Sequence, residues 1–166
     1  MTVQHMSNAT VFSSSANKAA LFGVVLQYSK TTSQVTYFVG TADTTNTSAN
    51  YDIGIYSGTS GGSCTLQVHT GPIAASTSMT AGWHTVSWSG GAVTLNPGRY
   101  YLALTSAATS NTAVLHGDNA GLTFAGWGSA GSVGNVSVTA GGTLDSARTC
   151  PTDSASEAVI PGFLVN

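Results

Sequence analysis

Charged side chains are rare in this chain of 166 residues, which has only four Lys or Arg and six Asp or Glu. Together they make up 6% of the residues, against about 25% in an average soluble domain. The basic residues Lys18, Lys30, Arg99 and Arg148 are too few to neutralise a row of phosphates, so the composition predicts no nucleic-acid partner. They also form no cluster that could hold an anionic membrane surface.

Long apolar runs are missing as well. The longest, "AALFGVVL" at residues 19–26, falls well short of the about 20 residues that a membrane-spanning helix needs. We therefore expect no insertion into a membrane.

Helical patterns are nearly absent, because strong helix formers are scarce and no segment keeps apolar residues three and four positions apart. Short strand-like segments recur instead between turns rich in Gly, Ser, Asn and Thr. They are residues 19–27, 34–40, 50–57, 65–70, 83–89, 92–95, 99–105, 112–117, 121–126, 135–140 and 158–166. About ten short strands predict an all-β fold, an antiparallel, jelly-roll-like β-sandwich. We place it as a single domain over residues 16–166, after an N-terminal extension or arm at residues 1–15.

Side chains alternate along these strands, which predicts one face in the core and the other towards solvent or a neighbouring copy. In "RYYLALT" the inward face is expected to carry Leu102 and Leu104 with one of the two tyrosines. In "NYDIGIYS", Tyr51, Ile53 and Ile55 share one face, and Asp52, Gly54 and Tyr56 share the other.

The only two cysteines, Cys64 and Cys150, lie far apart in the sequence. A disulfide between them would close a long loop and stabilise the fold by about 4 kcal/mol. Two separate buried thiols fit the sequence equally well. No metal motif can be built from two cysteines alone.

Catalytic patterns are also weak. Serines are abundant and four histidines are present, but no strand–turn–helix element offers a nucleophile elbow. The six acidic residues are scattered over turns, a strand and the C-terminal region, which does not suggest the paired carboxyls of a glycosidase. Asp52, inside a strand, is expected to anchor neighbouring backbone or a turn. We predict that the protein is not an enzyme and has no catalytic residues.

The best candidate for a metal-binding site is the stretch "HGDNAG", which contains His116, Asp118 and Asn119. One carboxylate is too few for a hard cation, and Asp-Asn followed by Gly is ordinary turn chemistry. We therefore expect no metal and no cofactor.

Aromatic side chains are the strongest candidates for binding. Trp83 and Trp88 are five positions apart on one predicted strand, so they point to opposite faces and at most one belongs to the core. Trp127 lies in a Gly-rich loop, where it could cover the end of the sandwich, contact another subunit or bind a sugar. The candidate ligand or subunit contacts are Trp127, Trp83, Tyr56, Asp118 and Asn119.

The stretches "ANYDIGIYSGTSG", "HTG" and "AGWHTVSWSGGAVTLNPGRYYLALTS" follow one another in an order that resembles a β-sandwich module of tailed-bacteriophage virion surface proteins. Such modules occur in tail fibres, in head or neck appendages and in decoration proteins. The resemblance covers roughly Leu21 to Thr105, a little over half of the chain, and lies in the order and spacing of the elements.

The resemblance implies a non-enzymatic virion surface protein, either decorating the capsid or tail or forming a fibre or appendage tip for host attachment. It implies a homo-oligomer, with a trimer favoured, that contacts other virion proteins and in some cases a host surface glycan. The charge-poor composition suits such self-association, because faces of Thr, Ser and Ala pack without desolvating ions. The alternative is a secreted carbohydrate-binding module or adhesin domain.

Overall fold

The computed structural model describes residues 9–10, 18–42, 44, 50–106, 114–118, 133–137, 142–152, 160–161 and 163–165. These residues form fifteen strands, seven of them only two or three residues long, and one single-turn helix. All paired strands are antiparallel. The prediction of an all-β antiparallel fold is confirmed.

The strands are β1 (Ala9–Thr10), β2 (Lys18–Leu26), β3 (Lys30–Thr32), β4 (Gln34–Thr41), β5 (Asn50–Gly58), β6 (Ser63–His69), β7 (Ile73–Ala74), β8 (Gly82–Ser87), β9 (Val93–Leu95), β10 (Gly98–Ser106), β11 (Val114–Asp118), β12 (Val133–Ser137), β13 (Ala147–Thr149), β14 (Ile160–Pro161) and β15 (Phe163–Val165). The helix α1 is Ala75–Ser78. It is too short and too polar to span a membrane, and no other helix occurs among the described residues.

The strands form two main sheets. The first has the order β12–β2–β10–β5–β6–β13, with β7 also paired to β5. The second has the order β1–β11–β4–β15, with β14 on β11 and β8 on β4. A separate two-stranded ribbon joins β3 to β9. The β1 residues, Ala9 and Thr10, pair with β11, although the sequence places them in the N-terminal extension.

The main core lies between the two sheets, as expected of a sandwich. The first sheet contributes Tyr100, Leu102 and Leu104 from β10, together with apolar residues of β2, β5 and β6. The second contributes Val35, Tyr37 and Val39 from β4, with Val86 of β8 packed against them. The predicted inward face of the "RYYLALT" strand is therefore confirmed, and its core tyrosine is Tyr100.

The central part of the outer face of the first sheet is covered, and there the expectation of half-buried strands is wrong. Tyr101 and Ala103 of β10 and Tyr56 of β5 are fully buried in a second cluster, which also holds Leu21, Cys64, Leu144 and Cys150. Residues 142–152, hereafter the 142–152 segment, supply Leu144 and Cys150 to this cluster. The central strands are thus covered on both sides, as strands in fully buried sheets are.

The two cysteines form a disulfide, with their Cα atoms 5.1 Å apart and a sequence separation of 86. The bond joins β6 to the end of the 142–152 segment. Gly58 makes room for it, since a Cβ at that position would lie 2.9 Å from Sγ of Cys64 and closer still to Sγ of Cys150.

Candidate functional site

The predicted site residues fall into different environments. Trp83 is 51% exposed. Tyr56 is fully buried, so its proposed role as a surface contact is wrong: the 142–152 segment covers the face of β5 that carries it. Asp118 ends strand β11 instead of lying in a turn. Trp127 and Asn119 lie outside the described residues.

Trp83 belongs to a continuous outer surface formed by two neighbouring strands. The register between β4 and β8 pairs Gln34 with Ser87, Thr36 with Thr85, and Phe38 with Trp83. In β4 these residues alternate with buried ones, and in β8 they alternate with partly buried ones. The six therefore share the face that points away from the main core. We call Gln34, Thr36, Phe38, Trp83, Thr85 and Ser87 the β4–β8 face.

One end of the β4–β8 face is aromatic. The ring centroids of Phe38 and Trp83 lie 5.2 Å apart, with a tilt of 59° between the ring planes. This offset, tilted contact is the favoured geometry for two aromatic rings. Trp83 still leaves half of its surface open to solvent, so the pair presents a broad apolar platform.

Hydroxyl and amide groups occupy the rest of the face. Oγ1 of Thr36 and Oγ1 of Thr85 lie 2.9 Å apart and share a hydrogen bond. Gln34 and Ser87 continue the row at the next cross-strand position. Neither strand contains a residue of the Asp, Glu, Lys or Arg type, so what the face offers is aromatic contact and neutral hydrogen-bonding groups.

The reverse side of the same strands fixes the face in place. The Tyr37 hydroxyl donates a hydrogen bond of 2.9 Å to the Ser78 carbonyl in α1, and burial raises the pKa of this hydroxyl. The Tyr37 ring stacks on His84 of β8 with centroids 5.3 Å apart. Trp88, directly after β8, is buried and donates its indole N–H to Oγ1 of Thr32. Of the two tryptophans on this segment, Trp88 is the one in the core.

A second notable cluster surrounds Asp52, whose side chain is fully buried. Its Oδ2 atom lies 2.8 Å from Nδ1 of His69 and accepts a hydrogen bond of 3.0 Å from the backbone N–H of Leu144. Its Oδ1 atom accepts a hydrogen bond of 3.1 Å from the hydroxyl of Thr70, which in turn accepts one from the N–H of Ile53. Asp52 thus anchors neighbouring backbone, as the sequence predicts.

The pairing of Asp52 with His69 resembles the orienting pair of a general base. Catalysis would also require a nucleophile or bound water next to the other ring nitrogen. In the described part of the chain, Nε2 of His69 has no hydrogen-bond partner. No group of three His, Cys, Asp or Glu residues that could hold a metal occurs there either. The contacts of the cluster are those of a structural clamp on the 142–152 segment.

The 142–152 segment is held by further polar contacts. The Tyr56 hydroxyl donates a hydrogen bond of 2.6 Å to the Asp145 carbonyl. The Arg148 guanidinium lies 5.2 Å from the centroid of the Tyr56 ring and donates from Nη2 to Oδ2 of Asp145 at 2.9 Å. Burial raises the pKa of Tyr56 to about 12, and the positive charge of Arg148 offsets part of that effect.

Comparison with known proteins brings no further identification: no family model, curated protein or solved structure matches this chain. The β4–β8 face is therefore judged by its own chemistry. It is an uncharged, aromatic and hydroxyl-bearing surface, exposed at Trp83 and held by buried contacts on its reverse side.

The sequence singled out only Trp83 from this face. Phe38, Thr36 and Thr85 become neighbours of one another through the pairing of β4 with β8, across a separation of 49 positions for the two threonines. The alternation in "QVTYFVG" and "GWHTVS" marks which residues share a face of each strand. It does not say which two strands are neighbours.

Proposed function

We propose that this protein is a non-enzymatic surface component of a bacteriophage virion. It decorates the capsid or tail, or forms the tip of a fibre or appendage, and contacts the host surface through the β4–β8 face. The observation that carries the proposal is this exposed aromatic and hydroxyl surface on a sandwich whose other sheet is covered on both sides at its centre. The resemblance of residues 21–105 to virion surface modules supports the location on a particle.

The disulfide supports a working environment outside the reducing cytoplasm, where such bonds persist. A virion surface is such an environment. The charge-poor composition and small side chains support assembly into a homo-oligomer, for which a trimer is our preferred state, and contact with other virion proteins.

Immunogold electron microscopy of particles produced by the genome that encodes this chain tests the proposal. Antibodies against the purified protein should label intact particles at a defined place on the head, neck or tail. Label confined to soluble material in the lysate would contradict it.

The second candidate function is a secreted carbohydrate-binding module or adhesin domain, and the half-exposed Trp83 favours it. Size-exclusion chromatography with light scattering separates the two candidates. A stable oligomer supports the virion component, whereas a monomer that is absent from particles supports the secreted module.

A further inference from the structure

Trp83 leaves about half of its surface open to solvent on the outer side of β8, and no packing contact among the described residues accounts for a large aromatic ring there. Among the described residues, the other exposed large apolar side chains are Val25 and Tyr28. Tyr28 lies between β2 and β3, away from any ring contact that the structure shows. Of these three, only Trp83 lies on a pair of strands beside a second aromatic ring. Exposed aromatic platforms next to polar groups are typical of ligand-binding sites.

The polar groups beside the platform are spaced regularly. Successive cross-strand pairs on one face are separated by two residues, or about 6.6 Å, so the three pairs from Phe38–Trp83 to Gln34–Ser87 span about 13 Å. This length accommodates a short oligosaccharide lying along the strands. The width is that of two strands, about 5 Å between their axes.

Hydrogen-bonding capacity remains available along this row. The Thr36–Thr85 hydrogen bond uses one of two hydroxyl hydrogens and one acceptor site, so the pair still offers one donor and three acceptor sites. The side chains of Gln34 and Ser87 have no hydrogen-bond partner in the described part of the protein. Together these groups can both donate to and accept from a ligand that is itself rich in hydroxyls.

We infer that the β4–β8 face binds a neutral saccharide, with one sugar ring stacked on Trp83 and neighbouring hydroxyls bonded to Thr36, Thr85 and Gln34. A sugar ring has an apolar C–H side for the indole and hydroxyls at its edge for the polar row. An anionic polysaccharide would need a counter-charge, which neither strand supplies. This inference rests on the proposed host-attachment function and names its ligand class.

Affinity electrophoresis in gels that contain a soluble polysaccharide tests the inference. The probes are two neutral polymers, dextran and galactomannan, and one anionic polymer, alginate, together with an array of neutral bacterial oligosaccharides. The full chain should be retarded by a neutral polymer or bind a neutral oligosaccharide, and alginate should not retard it. Absence of binding to every neutral probe, or binding to alginate alone, would overturn the inference.

Three variants locate the site. Trp83→Ala should weaken binding by about tenfold or more, as truncation of a central aromatic contact does. Tyr28→Ala is the matched control, because it removes another exposed aromatic ring outside the face and should leave binding unchanged. Thr85→Val keeps the shape of the face but removes a hydroxyl, so it should weaken binding less than Trp83→Ala.

Near-ultraviolet circular dichroism should show that all three variants are folded. Equal losses in Trp83→Ala and Tyr28→Ala, or unchanged binding in Trp83→Ala, would overturn the inference. So would a Trp83→Ala variant that changes only the oligomeric state, since the face would then serve a second copy of the chain. The immunogold test does not depend on any of these results. Failure of the saccharide site and failure of the virion proposal therefore remain distinguishable.

Discussion

The side chain of Asp52 accepts a hydrogen bond from the backbone N–H of Leu144, which lies 92 positions further along the chain. Both partners are buried. This bond ties the 142–152 segment to the central strand β5 and helps to cover the outer face of the first sheet around Tyr56 and Tyr101. The second sheet instead carries the half-exposed Trp83 beside Phe38, at the β4–β8 face.

Replacing Asp52 by Asn should destabilise the fold by about 1–3 kcal/mol. The amide keeps the size of the carboxylate but has one acceptor oxygen. Its NH₂ group would take the place of one of the two oxygens that accept from Leu144, His69 and Thr70, so at least one of these hydrogen bonds to residue 52 would be lost. Urea unfolding measures the change in the free energy of unfolding.

Thr94→Val is the matched control for Asp52→Asn. The Thr94 hydroxyl lies 2.9 Å from the Thr31 hydroxyl, and this hydrogen bond is exposed to solvent. Its removal should change the free energy of unfolding by less than about 0.5 kcal/mol. Equal stabilities for Asp52→Asn and the unmodified chain would show that Asp52 does not act as the clamp.

Gly54→Ala should destabilise the fold by about 1–3 kcal/mol through overpacking. A Cβ at this position would lie 2.6 Å from Cδ1 of Leu144 and 2.8 Å from the carbonyl oxygen of Val68. The Val68 oxygen belongs to the backbone of β6 and cannot move aside cheaply, so the pairing of β5 with β6 would be strained, and the Leu144 side chain would have to shift as well. Thermal unfolding of the variant measures the effect.

Gly90→Ala serves as the control for this change, because a Cβ there would meet nothing within 4 Å. Its unfolding temperature should stay close to that of the unmodified chain. If the two variants lose the same stability, close packing at Gly54 is not the cause.

Removing the disulfide in a Cys64→Ala, Cys150→Ala double variant should lower the free energy of unfolding by about 4–5 kcal/mol, given the 86-position separation. The loss comes mainly from the greater freedom of the unfolded chain. Denaturant titration with and without a thiol reductant measures it. The reductant should destabilise the unmodified chain and leave the double variant unaffected; a response in both would contradict the assignment.

Stability should fall at alkaline pH. Folding raises the pKa of Tyr56 from 10.0 to about 12, and it raises the pKa of Tyr37 as well. For groups with a raised pKa, the stabilisation is complete below the unfolded value and is lost as the pH rises towards the folded value. The free energy of unfolding should therefore decrease above about pH 10.

Urea unfolding at a series of alkaline pH values checks this expectation. The Tyr56→Phe variant loses the hydrogen bond to Asp145 and starts from a lower stability at neutral pH, but its decrease above pH 10 should be shallower. An identical slope in both proteins would show that Tyr56 does not titrate with folding.

The sequence predicted the fold class because alternation is a local property of each strand. Tyr100, Leu102 and Leu104 share a face in any extended strand, and their burial follows from their apolar side chains. The same reasoning failed for Tyr56 and Tyr101, whose face is covered by a segment that is remote in sequence. Local alternation shows which residues share a face, but it does not show how many layers cover it.

The candidate site was predictable only in part. The spacing of Trp83 and Trp88 showed that they point to opposite faces, and Trp83 is the exposed one. The spacing does not show which of the two enters the core. Trp88 is the buried one, and its indole N–H finds an acceptor in Thr32, which is remote in sequence. The Phe38 contact depends on strand register, a long-range property that the pattern within one strand does not contain.

The central claim is that Trp83, on the β4–β8 face, is the binding tryptophan. The most direct test is to follow the indole N–H signals of the three tryptophans in a ¹⁵N-labelled sample during titration with the neutral oligosaccharide that binds best. Single Trp→Phe variants assign the signals. We expect the Trp83 signal to shift in a saturable manner while the buried Trp88 signal stays in place. A shift confined to Trp127, or no shift at Trp83 under saturating conditions, would contradict the account.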